Sequence, residues 1–348
     1  MAIVRSLQNA HQVTDWTDDI VNLPTLNGMV NAMNLFDERG TSSTSITFAK
    51  DSRDYTLLPA NDRRLRDQSA GKDRTWDVFA LSLPYFNHKD TLTTEDVAQY
   101  RAWDDPNDVK TVARAQAAKV EDMRVRADQT KEYMKLSAIK GVTVDPSGNT
   151  LADMFTEFGV SQDTVDFVLG TTTTDITQKI HSLIRTVSAN NRTGLAISMP
   201  TVVCGNTFFD KLVTHPDVEA AYQSYLNSGV QRLRDNLFDF TQWGAYGVFE
   251  HRGVRFVNYQ PTFTLPSGST ATPIGASDGY VIASGARDLY RGYNGPSNKF
   301  SQIGAAGAPL YLWEWMQDRD NGIDFELEMA PLYFMTNPLM SVKVTTSN

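Results

Sequence analysis

Apolar residues recur at three- and four-residue steps over one long stretch. Val109, Val112, Ala113, Ala117, Val120, Met123, Ala127, Met134 and Ala138 form a stripe between positions 106 and 140, which is the period of a helix. Asp105 suits an N-cap, Pro106 the first helical position, and Asp108 the positive end of the helix dipole. Gly141 marks the expected stop, with Lys135 and Lys140 near the negative end. The other face carries Asp122 with Arg126 and Asp128 with Lys131, at spacings that allow pairing. At 1.5 Å per residue a helix over 106–140 would be about 50 Å long. Its stripe is thin and rich in alanine, so on its own it reads as an ordinary long helix or a short coiled coil.

Alternation with a period of two appears elsewhere. Residues 43–48 and 75–83 read as strands. Between them, 51–74 is dense in charge, including Arg53, Asp54, Arg63, Arg64, Arg66, Asp67, Lys72 and Arg74. A loop of about 24 residues with few apolar anchors is uncommon in a compact domain. Two strands flanking it predict an arm projecting from the body; a disordered surface loop is the competing reading. Residues 1–34 are polar and mixed, either a frayed terminus or an arm docked elsewhere. A short helix is expected over 92–103, capped by Thr93 or Thr94, and a domain boundary at the Asp145-Pro146-Ser147-Gly148 turn.

Beyond that turn helices and strands alternate irregularly. Helices are expected at 151–158, 176–187, 208–213 and 218–226, and strands at 164–169, 195–203 and 280–283. Residues 248–251 and 254–259 read as a hairpin turning near Gly253, and 292–307 as a loop. Ile176, Ile180, Leu183, Ile184 and Val187 share one helix face. Near the end, Tyr311, Trp313 and Trp315 alternate, Asn321-Gly322 makes a tight turn, and Ile323, Phe325, Leu327 and Met329 alternate back. Residues 340–344 form a last strand. The long helix is the natural surface for this hairpin. The fold class is α+β.

Composition narrows the function. The 348 residues are 41% apolar and 21% charged, a globular balance. The net charge of −9 argues against gripping nucleic acid through a basic face. Cys204 is the only cysteine, which excludes an internal disulfide, and it is expected buried in a protein made in a reducing cytoplasm. No apolar run is long enough to span a bilayer, and residues 1–5 lack the apolar core of a signal peptide.

Catalytic signatures are missing. His11, His88, His181, His215 and His251 have no metal-ligand spacing and read as surface or partly packed residues. There is no nucleophile elbow, phosphate loop or dinucleotide fingerprint. The acidic group Asp318, Asp320, Asp324, Glu326 and Glu328 would make a calcium loop only with acids at Gln317 and Arg319. It reads instead as a solvated hairpin tip and outer strand face. Residues 171–174 read as a linker and helix N-cap. No catalytic residue, cofactor or metal is expected.

Several blocks in their order resemble a known family. These are Leu35-Phe36-Asp37-Glu38-Arg39 leading into 43–48, Leu83-Pro84-Tyr85-Phe86 through Asp90-Thr91-Leu92, and Gly253-Val254-Arg255-Phe256-Val257-Asn258-Tyr259. Ala330-Pro331-Leu332, Asn337-Pro338 and 342–344 follow. Over roughly 22–346 the chain is similar to the lambda-type capsid protein E family of tailed phages, with the Hong Kong 97 fold.

The resemblance implies an N-terminal arm (1–34), an extended-loop region (35–82), a peripheral domain (83–141) with a spine helix at 106–140, and an axial domain (142–310). A C-terminal hairpin and strand (311–348) would return to the peripheral domain. It implies a major capsid protein assembling as pentamers and hexamers into an icosahedral head around double-stranded DNA, without specific DNA binding or a membrane. Arg53, Asp54, Arg63, Arg64, Arg66, Asp67, Lys72 and Arg74 would then contact neighbouring subunits. A separate scaffolding protein is implied, since the chain starts at the arm, with a portal at one vertex and a decoration protein as further partners. The alternatives are an encapsulin-like compartment shell and a soluble α+β enzyme.

Overall fold

The structure, a computed structural model, describes residues 14–15, 28–51, 76–96, 112–191, 199–227, 247–285, 288–318 and 321–347. Its first part holds β1 (Thr14–Asp15), α1 (Met29–Ala32), β2 (Asp37–Gly40), β3 (Ser45–Asp51), β4 (Trp76–Ser82), β5 (Phe86–Thr93) and α2 (Val112–Ile139). Next come β6 (Val142–Val144), β7 (Thr150–Asp153), α3 (Met154–Phe158), β8 (Thr164–Asp166), α4 (Ile176–Asn190), β9 (Thr201–Cys204), α5 (Asn206–Val213) and α6 (Pro216–Asn227). The remainder is β10 (Gly247–His251), β11 (Val254–Asn258), β12 (Phe263–Thr264), β13 (Thr270–Ala271), β14 (Asp278–Ile282) and β15 (Tyr290–Asn294). It closes with β16 (Tyr311–Met316), β17 (Gly322–Met329), β18 (Pro331–Met335) and β19 (Lys343–Thr345).

The strands form a six-stranded sheet in the order β10-β11-β9-β14-β19-β8 and a four-stranded sheet in the order β1-β16-β17-β5. A three-stranded sheet, β18-β15-β2, and the pairs β3-β4, β6-β7 and β12-β13 complete the α+β arrangement.

Helix α2 links the two large sheets. Its stop is as expected: Gly141 adopts φ +87, and its amide donates to Ala138 O at 2.9 Å, a left-handed exit that suits glycine. The start signals at 105–108 lie outside the described residues. Ala115, Met123 and Ala127 pack on Leu92, Leu312, Phe325 and Leu327, so the first half of α2 covers the C-terminal hairpin and β5. Met134, Leu136, Ala138 and Ile139 enter the main core with residues drawn from Met29 through Val344. Between 131 and 139 every residue but Tyr133 is buried, the charged Lys131, Glu132 and Lys135 included.

The far half of α2 is therefore not the half-solvated helix its pattern predicts. Asp128 does not pair with Lys131 either. It meets Arg124 one turn back at 3.0 Å, while Glu38 on β2 exerts the largest attraction on Lys131.

Other expectations shift for identifiable reasons. The 92–103 helix starts later, because Leu92 and Thr93 belong to β5, which pairs with β17 from Met329↔Phe86 to Gly322↔Thr93. Thr93 caps it: Asp96 N donates to Thr93 Oγ1 at 3.3 Å, and Thr93 N donates to Asp96 Oδ2 at 3.0 Å. Residues 97–103 lie outside the described residues. The 151–158 helix also starts late, because Asp153 accepts from Phe155 N and Thr156 N as its N-cap and residues 150–153 pair with β6. Asp175, not the threonine run before it, caps α4 by accepting from Gln178 N at 2.9 Å.

The loop expected over 292–307 begins as a central strand, since β15 lies between β18 and β2. Gly292 is there for space: an added Cβ would sit 2.9 Å from the Tyr333 ring and 3.0 Å from Glu38. The strand expected at 340–344 begins only at Lys343. Residues Pro338–Met340 form a 3-10 turn, and β19 joins the six-stranded sheet between β14 and β8. The 145–148 turn closes the β6-β7 hairpin, with Asp145 accepting from Ser147 N and Asn149 N.

Candidate functional site

The eight charged residues expected at subunit contacts, from Arg53 to Arg74, lie outside the described residues. Their base is described. Strands β3 and β4 pair antiparallel from Ser45↔Ser82 to Asp51↔Trp76. Among the described residues they pair with no other strand. Aromatic rings hold the root of this ribbon. Phe48 meets Phe334 at 4.8 Å and Phe79 at 5.7 Å, and Phe79 meets Phe158 at 5.8 Å. Leu81 is buried beside Ala152, Met154 and Leu332, whereas Val78, farther out, is 64% exposed. The ribbon is thus fixed at one end by its own core and extends away from it.

A buried carboxylate ties the N-terminal region to the spine. Glu132 Oε1 accepts from Val30 N at 2.8 Å and from Tyr259 OH at 2.9 Å, and Oε2 accepts from Asn31 N at 2.8 Å. Met29 N donates to Tyr259 OH at 3.3 Å, and Asn31 Nδ2 donates to Asp128 O at 3.0 Å. Glu132 therefore caps α1 from outside, supplying an acceptor for amides that a four-residue helix cannot satisfy. Gly28, at φ +111, leaves the space: an added Cβ would collide with the Glu132 carboxylate. Burial pushes the Glu132 carboxyl up, opposed by the amides of Val30 and Asn31 and by Tyr259.

Beside this latch a groove of about 1210 Å³ runs between α2 and β2, lined by Glu38, Arg124, Asp128, Lys131 and Lys135 among others. Lys135 meets Glu38 at 2.8 Å and lies 4.9 Å from the Tyr333 ring centroid. Burial pushes the Glu38 carboxyl up, but Lys135 and Lys131 outweigh it and hold it below the usual range. Lys131 is only 6% exposed, and burial lowers its ammonium to about 8.

A group deprotonating earlier when folded than when unfolded costs stability below its folded pKa. That cost fades as pH rises through about 8 toward 10.5. Lys131→Met should therefore stabilise the fold by about 2 kcal/mol at pH 7. Denaturant titrations from pH 7 to 9 should show its advantage over wild type shrinking as pH rises.

The hairpin carboxylates are the clearest correction. Glu326 and Glu328 were expected on a solvated face, yet are 3% and 1% exposed. The 295–310 connection covers them. Lys299 pairs with Glu326 and lies 3.5 Å from Glu328, while Ser297 Oγ and Asn298 N donate to Glu328 Oε2. Asn87 Nδ2 also donates to Glu326. Burial pushes Glu326 up, but Lys299, Asn87 and Lys89 outweigh it and hold it low. Asp324 accepts from Thr91 Oγ1 at 2.6 Å and from Gln317 Nε2 at 2.8 Å.

His215, expected at the surface or partly packed, is fully buried. Its Nε2 lies 3.1 Å from Thr171 O, and its Nδ1 accepts from Asp217 N at the start of α6. Cys204 is buried in β9, as expected, and burial pushes its thiol up. Among the described residues no group of three His, Cys, Asp or Glu could hold a metal, and no helix is long and apolar enough to cross a membrane. The charged groups fasten elements to one another; their geometry serves positioning.

Comparison with known proteins gives this architecture a family. The model of the phage major capsid protein E family matches residues 12–346. The major capsid protein of Salmonella phage Felix O1 (isolate Felix O1-VT1) is 28% identical over 355 residues, covering 95% of each chain. That of Pseudomonas phage KPP10 is 25% identical, covering 99% of each. Among solved structures, a prophage capsid protein from E. coli CFT073 superposes with a TM-score of 0.61 at 11% identity, covering 97% of this chain and 100% of that one. The capsid of cyanophage P-SCSP1u gives a TM-score of 0.51 at 14% identity, over 91% and 88%. The fold is thus that of phage capsid proteins, the Hong Kong 97 type. The chain belongs to the phage major capsid protein E family, structural rather than enzymatic proteins that form the virion shell of tailed phages.

Proposed function

We propose that this chain self-assembles as pentamers and hexamers into the icosahedral head of a tailed phage, enclosing double-stranded DNA, through an arm laid over a neighbouring copy. The observation that carries this reading is the β3-β4 ribbon, rooted by Phe48 and Phe79 in its own core and paired with no other described strand. A two-stranded ribbon on its own is marginal in water, so it gains stability by lying on another surface. Arg53, Asp54, Arg63, Arg64, Arg66, Asp67, Lys72 and Arg74 sit in the stretch joining its two strands. There, mixed charge sets register and partner choice more than affinity.

In this reading residues 1–34 are an N-terminal arm and 35–82 the extended-loop region. Residues 83–141 with 311–348 form the peripheral domain and 142–310 the axial domain, with β19 near the chain's end adding to the six-stranded sheet. The packing of α2 on β16, β17 and β5 supports the peripheral grouping. A separate scaffolding protein, a portal at one vertex and a decoration protein are the other partners of such a head. A net charge of −9 fits an inner wall that DNA does not stick to.

Replacing Arg63, Arg64 and Arg66 together by serine tests the arm. The melting temperature should stay at the wild-type value. The concentration needed for assembly should rise about tenfold, with a weaker dependence on salt. A wild-type assembly threshold, measured by light scattering, would remove the arm from the account.

A further inference from the structure

The connection between β15 and β16 carries an apolar tip. Phe300 is 94% exposed and Ile303 is 75% exposed, the two most exposed large apolar side chains among the described residues. They stand one turn apart on the Phe300–Gln302 3-10 turn, where Ile303 N donates to Phe300 O at 3.3 Å. From Phe300 to Trp313 no residue is charged, in a chain with 21% charged residues. Single exposed apolar residues are ordinary; a projecting pair in an uncharged stretch marks an interaction site.

The tip is braced from both sides. Lys299 reaches the buried Glu326 and Glu328, and its ammonium lies 5.4 Å from the Trp315 ring centroid. Asn298 N donates to Glu328 at 3.2 Å. On the far side Gly307 N donates to Thr41 O at 3.0 Å, and a Cβ on Gly307 would strike the carbonyls of Asn294 and Gly295. Holding the loop this way settles much of its ordering cost before any partner arrives.

We propose that the Phe300–Ile303 tip is a contact point between copies of this chain, inserting into a different surface of the next copy. The inference rests on the self-assembly proposed above. A second copy is the partner the observations favour. Every subunit carries the tip, so its cover must be equally abundant. Copies of net charge −9 repel, so an uncharged contact suits them. A tip meeting an unlike surface is a head-to-tail contact, the kind that closes into rings and shells.

The test uses the full chain. Phe300→Cys, mixed as a minor fraction into wild type, provides a thiol probe, because the single native cysteine, Cys204, is buried. Maleimide should label that thiol readily in dissociated subunits and at least about tenfold more slowly in shells made of this chain alone. In parallel, the double variant F300S/I303S should keep the wild-type melting temperature and need at least about tenfold more protein to assemble.

Equal labelling in shells and free subunits would overturn the inference, as would protection that appears only after another virion protein is added. So would a double variant that assembles at the wild-type threshold. Wild-type shells in the same preparation separate the two readings. Shells with an accessible tip refute the tip contact alone, and wild type that never assembles refutes self-assembly and the contact with it.

Discussion

Glu132→Ala should cost about 4 kcal/mol of stability, the largest loss expected from a single polar substitution in this chain. The carboxylate is 1% exposed and accepts from Val30 N, Asn31 N and Tyr259 OH. Removing it leaves two amides and a hydroxyl buried without their acceptor, each costing on the order of 1–3 kcal/mol. Glu132→Gln keeps one carbonyl oxygen for Val30 and Tyr259 but turns an NH₂ group toward Asn31 N, so an intermediate loss follows. The effects should also couple. Tyr259→Phe should cost less in the Glu132→Ala background than in wild type, because its partner is already gone. Equilibrium denaturation of the four proteins measures this, and additive losses would show that Glu132 and Tyr259 do not act as one latch.

Deleting residues 52–72 should abolish assembly while leaving the body folded. Both cores, the main one drawing on Met29 through Val344 and the second between α2 and the hairpin, are built from described residues that the deletion leaves in place. The aromatic contacts at the root, among Phe48, Phe79, Phe158 and Phe334, also survive the deletion. Circular dichroism and the melting temperature should stay near wild type, while sedimentation shows only small species. Intact shells from the deletion protein would show that the arm is dispensable.

Much of the fold was legible because local chemistry and tertiary packing agree. Gly141 stops α2 where the sequence places the stop, and Ile176, Ile180, Leu183 and Val187 bury as one face of α4. Arg252 and Gly253 both take positive φ at the turn of the β10-β11 hairpin, as a tight hairpin requires. The misses share one cause, long-range partners that no local pattern encodes. Residues 86–91 carry no expected element and Leu92 and Thr93 fall in the expected helix, yet 86–93 form a full-length ladder with β17, more than 200 positions away. Glu132 lies off the apolar stripe of the long helix and no local pattern marks it as buried, because its donors lie at residues 30, 31 and 259. Glu326 and Glu328 alternate as an outer face should, but the 295–310 connection supplies Lys299, Ser297 and Asn298 to cover them.

The candidate site was legible differently. Alternating strands around a charged stretch foretold the ribbon, and its pairing is present in register. The brace and the apolar tip at Phe300 left a faint trace, an uncharged run that composition alone assigns to a loop.

The most direct measurement is sedimentation velocity of the purified full-length chain over a concentration series, with negative-stain electron microscopy of the fastest fraction. The account predicts a threshold above which closed shells, or rings of five and six subunits, appear at the expense of a slow species. A uniform monomer at every concentration, persisting when candidate scaffolding partners are added, would contradict it.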